Sequence, residues 1–176
     1  KAMKLNLSNF NQRFTFRAIV QGYCLDSVWS TNEEHYIWKP MIMLSNINYQ
    51  NTDTGLFEYA GEKTCISYTN KIAKLGQLVA GEMIQFNARY VGEYFESLDR
   101  LMNPSKFKII KPLIDKRYPV PASEYLRVGY VMEVNHDKYP DSKMYKQEIV
   151  DRYDDWCNTN AYNKKSTATD QSNTEP

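Results

Sequence analysis

Hydrophobic and polar residues alternate along several stretches of this chain, most regularly in AGEMIQFNARYVGEYF at residues 80–95. Ile84, Phe86, Ala88 and Tyr90 fall on one side of an extended chain and Gln85, Asn87 and Arg89 on the other, because successive strand residues point opposite ways. The pattern predicts a strand of about nine residues with one packed face and one wet face. Gly81 and Gly92 bound it, since a residue without Cβ turns freely. RFTFRAIVQGYCL repeats the pattern, with Phe14, Phe16, Ala18 and Val20 against Thr15, Arg17 and Ile19. A loop composition follows in DSVWSTNEEH. In YIWKPMIMLSNI, Ile42 and Leu44 are core candidates with Met43 a further one, and Pro40, which cannot donate to a ladder, marks an edge, a bulge or the start of pairing.

NYQNTDTGLFEYAGE reads as a turn-rich connector and KTCISYTNKI as a short strand. NKIAKLGQLVAG has Ile72, Leu75 and Leu78 or Val79 at helical spacing, but Gly76 limits it to one or two turns. SLDRLMNPS reads as a loop. KFKIIKPLI resumes extended structure with Phe107, Ile109 and Leu113 inward. After the stiff PVPAS joint, YLRVGYVMEVN alternates again, with Leu126, Val128, Tyr130, Met132 and Val134 on one face, which predicts a sixth strand. PDSKMYKQEIVDRYDDWCNT changes period. Tyr145, Ile149, Tyr153 and Trp156 or Cys157 share a helical face that Asp141 or Ser142 can cap.

Three strands, a short helix, two strands, a proline joint, one strand and a terminal helix define a mainly β (α+β) fold class. Five strands with a helix between the third and fourth match the layout of an OB-fold, a partly open Greek-key barrel, although a β-sandwich gives similar patterns. The expected organisation is a lead-in over residues 1–12, an OB-like five-stranded barrel over 13–117, an extension of one strand and a helix over 118–157, and a polar, disordered tail over 158–176.

Composition narrows the function classes. With 176 residues the chain suits one domain. Its 22 Lys plus Arg and 21 Asp plus Glu leave a net charge of +1, so attraction to nucleic acid or membrane has to be local. The 14 Tyr are numerous enough to furnish a binding surface as well as a core. Cys24, Cys65 and Cys157 include no CxxC pair, and an odd count fits a reducing compartment. No run of 18 apolar residues and no signal-like apolar start occurs, so the expected location is the cytoplasm. The NLS at residues 6–8 is then a chance glycosylation match.

Phosphate-loop, dinucleotide, serine-elbow and zincin motifs are absent, and neither a cofactor nor a metal is expected. His35 and His136 stand beside carboxylates but read as surface residues, as do Glu33, Glu34, Asp154 and Asp155. The charge distribution says more. Residues 104–117 hold five basic residues against Asp115 alone, whereas residues 118–157 hold five basic against eight acidic ones. Lys106 and Lys108 leave their strand opposite Phe107 and Ile109, and Arg17 and Arg89 are the outward cations of two other strands. If those faces adjoin, the four form a basic patch. Tyr23, Trp38 with its neighbour Lys39, Tyr68 and Tyr94 are the candidate aromatic partners, the combination an unpaired nucleic-acid strand needs. The acidic terminal helix points to another role: entering the basic groove of a protein that normally holds nucleic acid.

CISYTNKIAKLGQLVAGEMIQFNARYVGEYF followed by KFKIIKPLI resembles small OB-like proteins of phages, plasmids and conjugative elements of Gram-positive bacteria. MLSNI, GEMIQFNARYV, GEYF and FKIIKPLI stand where that group has an LxNI strand, an IxFxARV strand, a Gly-Tyr corner and a YKLxxPxxI strand. KTCISY replaces its usual DHxWF segment, and Phe95 is displaced from the corner tyrosine. The resemblance covers residues 14–114. In size and in its acidic terminal helix the chain is also similar to type II-A anti-CRISPR proteins. The implied function is a counter-defence protein that binds a host CRISPR nuclease or its guide-RNA complex. The alternative is an accessory protein for single-stranded nucleic acid.

Overall fold

The computed structural model describes residues 12–91, 101–138, 140 and 143–160. It is mainly β: strands β1 (Arg13–Ser30), β2 (His35–Gln50), β3 (Phe57–Ser67), β4 (Met83–Tyr90) and β5 (Leu101–Lys111) form one sheet. Three helices accompany them, α1 (Asn70–Ala73), α2 (Glu124–His136) and α3 (Gln147–Thr159). The sheet order is β3-β2-β1-β4-β5 and every neighbouring pair is antiparallel. Edge strands β3 and β5 bring Cα atoms within 8 Å of each other, but no ladder joins them, so the sheet is not closed into a barrel.

The two regular alternations hold. Phe14, Phe16, Ala18 and Val20 of β1 and Ile84, Phe86, Ala88 and Tyr90 of β4 are all buried. In register Phe16 faces Phe86, and the two rings stack with centroids 5.7 Å apart. Phe107 extends the stack onto β5, 5.6 Å from Phe86. Burying two phenylalanines at full depth contributes about 1.5–3 kcal/mol each. Beyond Ile19 β4 no longer pairs with β1, and two irregularities in the β1–β2 ladder, one ending at Gly22, bend β1.

The strands outrun several expected boundaries. Asp26–Ser30, expected as loop, pairs with His35–Lys39 in a long ribbon. Phe57–Glu62, expected as connector, is the first part of β3, and Leu101–Pro104 belongs to β5. Pro40 is buried well inside β2. Its carbonyl accepts from Tyr68 N at 2.9 Å, just where β3 has ended, so its missing donor falls beyond the β3 ladder. Leu113, expected inward, is 60% exposed because β5 stops at Lys111.

The sixth strand expected over 125–135 is helix α2. Ser123 caps it through Oγ, which accepts from Leu126 N, and Glu124 favours its first turn. Tyr130, Val131 and Val134 pack toward the sheet, while Val128 and Met132 pack with Val150 of α3. A helix covered on two sides loses the polar stripe that marks a period of 3.6, and its apolar residues alternate by accident. Arg127 is buried in it and donates to the carbonyls of Tyr68, Pro121 and Ala122. Gly129 lies where α3 crosses: a Cβ there would stand 2.7 Å from the Ile149 carbonyl oxygen.

Helix α3 buries Val150, Tyr153 and Cys157; Tyr153 and Cys157 belong to the expected face, whereas Ile149 is half-buried, Val150 takes the place beside it and Tyr145 precedes the helix. It starts at Gln147 without a side-chain cap, and the expected caps Asp141 and Ser142 lie outside the described residues. Asn158 and Thr159, expected in the tail, end this helix, and 161–176 lie outside the described residues. Tyr130, Val131, Tyr153 and Cys157 share one core with the sheet.

Candidate nucleic-acid interface

The helices pack on the inner face of the sheet, where Phe16, Ile84 and Phe86 lie, and strand alternation sends the intervening residues to the outer face. Register sets them in rows. One runs Tyr59, Asn48, Arg17, Gln85 and Lys108 across all five strands. The next runs Lys63, Ser45, Ile19, Met83 and Lys111. On the other side lie Thr15, Asn87 and Ser105, then Arg13, Arg89 and Met102. Six of these positions are Lys or Arg and none is Asp or Glu. The flanking carboxylates Glu58 and Glu62 belong to edge strand β3 outside these rows, and Glu58 is bonded to Tyr49 Oη and Asn51 Nδ2 at 2.9 Å each.

Neighbours on the sheet hold the arginines. Arg17 Nε donates to Gln85 Oε1 at 3.0 Å, and its guanidinium carbon stands 4.0 Å from the Phe57 ring centroid. Arg13 Nη2 donates to Asn87 O at 3.2 Å and to Asn103 O and Ser105 Oγ at 2.9 Å. Lys63, Arg89, Lys106, Lys108 and Lys111 are exposed. Lys106 has φ +53° where the β4–β5 ladder shifts register between Asn87 and Gln85, so it leaves the sheet beside Lys108 rather than in a row.

Arg17, Arg89, Lys106 and Lys108 thus come from three adjoining strands. Of the other residues singled out from sequence, Tyr23, Trp38, Lys39 and Tyr68 do not join them. Tyr68 is 1% exposed, stacked on Tyr23 at 5.2 Å, so neither ring offers a face to a base. Trp38 is half-buried against Val128 and Met132, and Lys39 Nζ stands 3.9 Å from Glu124 on α2. Tyr94 lies outside the described residues. Sequence reasoning passed over Arg13, Lys63, Lys111, Phe57 and Tyr59. Arg13 continues an alternation already recognised, whereas Lys111 shares the parity of inward Phe107 and Ile109 and reaches the outer row only through the register shift between Met83 and Ile84. Phe57 and Tyr59 sat in a segment whose glycines read as turns, and Lys63 opened the short strand KTCISYTNKI. Tyr59 is 57% exposed and Phe57 lies under Arg17.

Arg117, counted among the basic residues of the 104–117 run, is engaged elsewhere. Its Nη1 donates to Gln77 O at 2.7 Å and to Glu82 Oε1 at 2.9 Å, and its Nη2 bonds Glu82 Oε2. Glu82 is fully buried and also accepts from Val79 N at 3.0 Å. The pair ties the turn before β4 to the segment after β5.

His35 is exposed at the tip of the β1–β2 ribbon, bonded to Glu33 O at 2.8 Å, while His136 ends α2 with its ring stacked 4.2 Å from Tyr145. They line different cavities. Among the described residues no three His, Cys, Asp or Glu side chains converge as a metal site, and no helix is long and apolar enough to cross a membrane. On α3, Glu148, Asp151 and Asp155 are exposed and Asp154 is half-buried, with Arg152 the cation among them. No family model, curated protein or solved structure matches the chain.

Proposed function

We propose that the protein is a binding protein that holds a single-stranded nucleic acid on the outer face of its sheet, and that the sheet is an open OB-like barrel. One observation carries this reading: Arg13, Arg17, Lys63, Arg89, Lys108 and Lys111 occupy aligned outer rows that contain no carboxylate. Solubilising surfaces mix signs, whereas a single-sign face attracts a polyanion. Phe57 and the exposed Tyr59 supply rings at one end of the Arg17 row, as base stacking requires. The test is fluorescence anisotropy with labelled single-stranded DNA and RNA across a salt series. Affinity falls as salt rises, with log K losing about 0.7 per decade of salt for each phosphate contact. Binding that ignores salt, or its absence at low salt, overturns the proposal.

A second reading is a mobile-element counter-defence protein that binds a host CRISPR nuclease or its guide-RNA complex. The acidic exposed side of α3 favours it, together with Trp29 and Tyr36 at the ribbon tip, 55% and 67% exposed and packed edge to face at 5.2 Å. Aromatic anchors beside acids suit a basic protein groove. This reading predicts inhibition of target cleavage by a type II-A nuclease, lost on Asp151→Lys with Asp155→Lys but kept on Arg17→Gln. Both readings call for a cytoplasmic location in a bacterial host.

A further inference from the structure

Cys24 on β1 and Cys65 on β3 bring their sulfurs to 3.9 Å. Neither is in a disulfide and both are half-buried. β2 runs between their strands, so the backbones are separated by two strand spacings of about 4.8 Å each. That exceeds the Cα separation of about 7 Å beyond which a disulfide needs backbone movement. The chain therefore holds two thiols close together at a distance that direct S–S bonding does not exploit.

The separation suits a shared metal ion. Two thiolates at a metal–sulfur distance of about 2.3 Å stand about 3.8 Å apart at a tetrahedral angle and about 4.0 Å apart at a trigonal one. The remaining neighbours decide which metal. Met43 is the register partner of Cys65, and Met41 is that of Cys24, so both thioethers share the face of the two thiols. Met43 lines two adjoining cavities of about 320 and 430 Å³; Cys24 lines the first and Cys65 the second. Gly22 stands beside this place: its φ is +151°, and a Cβ there would meet the Met43 ε-methyl at an ordinary contact distance of 3.6 Å. His136 borders the first cavity, and its Nδ1 is buried with no hydrogen-bond partner, the kind of orphaned group that calls for a ligand.

Zinc prefers four Cys, His or carboxylate ligands, and no three such groups converge among the described residues. Two thiolates with thioethers select a softer ion. We propose that Cys24 and Cys65, with the thioether of Met43, form a site for one thiophilic cation of the copper(I) class. On binding, each thiol gives its proton to solvent and the two thiolates donate to the metal, whose oxidation state is unchanged. His136 Nδ1, on the border of the first cavity, supplies a nitrogen donor to a site that gains a fourth ligand.

The experiment is an anaerobic titration of the full chain with copper(I) against a chromophoric copper(I) chelator, with zinc(II) in parallel. One equivalent is held, more tightly than zinc. Cys24→Ser and Cys65→Ser each lower the affinity by at least about a hundred-fold, since losing even an outer-shell partner costs 10–100-fold, whereas Cys157→Ser leaves it unchanged. Met43→Leu lowers it less. Copper K-edge absorption of the unaltered protein shows two or three sulfurs at about 2.3 Å, which keeps the test decisive if a serine variant fails to fold. Equal copper retention by the Cys24→Ser/Cys65→Ser protein, tighter zinc than copper binding, or a shell of nitrogen and oxygen alone overturns the proposal.

Discussion

The two faces of the sheet are built from the same strands and do opposite work. On the inner face Phe16, Ile84 and Phe86 have no exposed surface, and the adjoining residues Arg17, Gln85 and Asn87 carry polar groups outward. The inner face is where removal of apolar area from water accumulates. The outer face adds little to that and even works against it, because Arg13 and Arg89 are direct cross-strand partners and like charges in that position destabilise a sheet. A row of cations that folding does not require is a feature to be explained by what it meets.

The sharpest way to break the inner face is Phe86→Ala. Phe86 is fully buried between Phe16 and Phe107, so its loss costs about 3–5 kcal/mol from transfer and cavity together. Urea unfolding followed by circular dichroism measures it. A loss below about 1 kcal/mol means that the stack is not central to the core.

Glu82→Gln comes next. The change leaves Arg117 without its carboxylate in a site where Glu82 has no exposed surface, and breaking such a pair costs about 3 kcal/mol or more. Replacing both residues by apolar ones of similar size recovers much of the loss, because a buried pair gains little net stability over a well-packed apolar substitute. A double variant as unstable as Glu82→Gln contradicts that account.

Gly129→Ala has a smaller effect of the same sign, about 1–3 kcal/mol, because its Cβ meets the Ile149 carbonyl oxygen and Tyr153 Cβ at 2.7 and 2.9 Å. On propensity alone alanine favours a helix over glycine by about 1 kcal/mol, so a stabilised variant, read from its melting temperature, would mean that α2 and α3 do not cross this closely.

The same glycine shows what the sequence can and cannot convey. β1 and β4 are legible because one face is wet: Arg17, Gln85 and Asn87 punctuate the apolar residues at every second position. α2 is not, since the six consecutive residues Arg127–Met132 are all buried, so no polar stripe recurs with a helical period through its middle and only Ser123 and Glu124 mark its start. Arg127 reads as an outward cation although three backbone carbonyls surround it. The candidate interface was half legible for a related reason. Alternation puts Arg17, Arg89 and Lys108 outward, but only register shows that Gln85 joins Arg17 to Lys108. Tyr68 lost its expected role once α2 covered it, which no local pattern foretells.

The tyrosines on and under α2 give the inner region a pH signature. Burial pushes the Tyr23, Tyr68 and Tyr130 hydroxyls above the ordinary value of 10, because a phenolate is poorly solvated there. Their folded pKa values are raised, so this contribution is complete below pH 10 and is lost as pH climbs beyond it, when the unfolded chain ionises first. Stability measured between pH 8 and 11 stays level and then falls. Tyr130→Phe, which also removes a 3.4 Å contact to Tyr23 Oη, reduces the steepness of the fall, and an unchanged slope would exclude Tyr130 from it.

The smallest stability change is expected on the outer face, where it separates folding from binding. Arg89→Gln removes one of two opposed cations and leaves every inner contact intact, so stability stays within about 0.5 kcal/mol and tends upward as repulsion with Arg13 is relieved. Affinity for a single strand moves the other way, and the salt slope shrinks by about 0.7 for the lost phosphate contact. Lys71→Gln, at an exposed position of α1 outside the rows, changes neither quantity. Opposite signs for stability and affinity at Arg89, with no effect at Lys71, are the mark of a charge kept for a ligand. Equal losses of affinity at the two positions would mean that the strand responds to overall charge alone, and the outer rows would then have no claim as an interface.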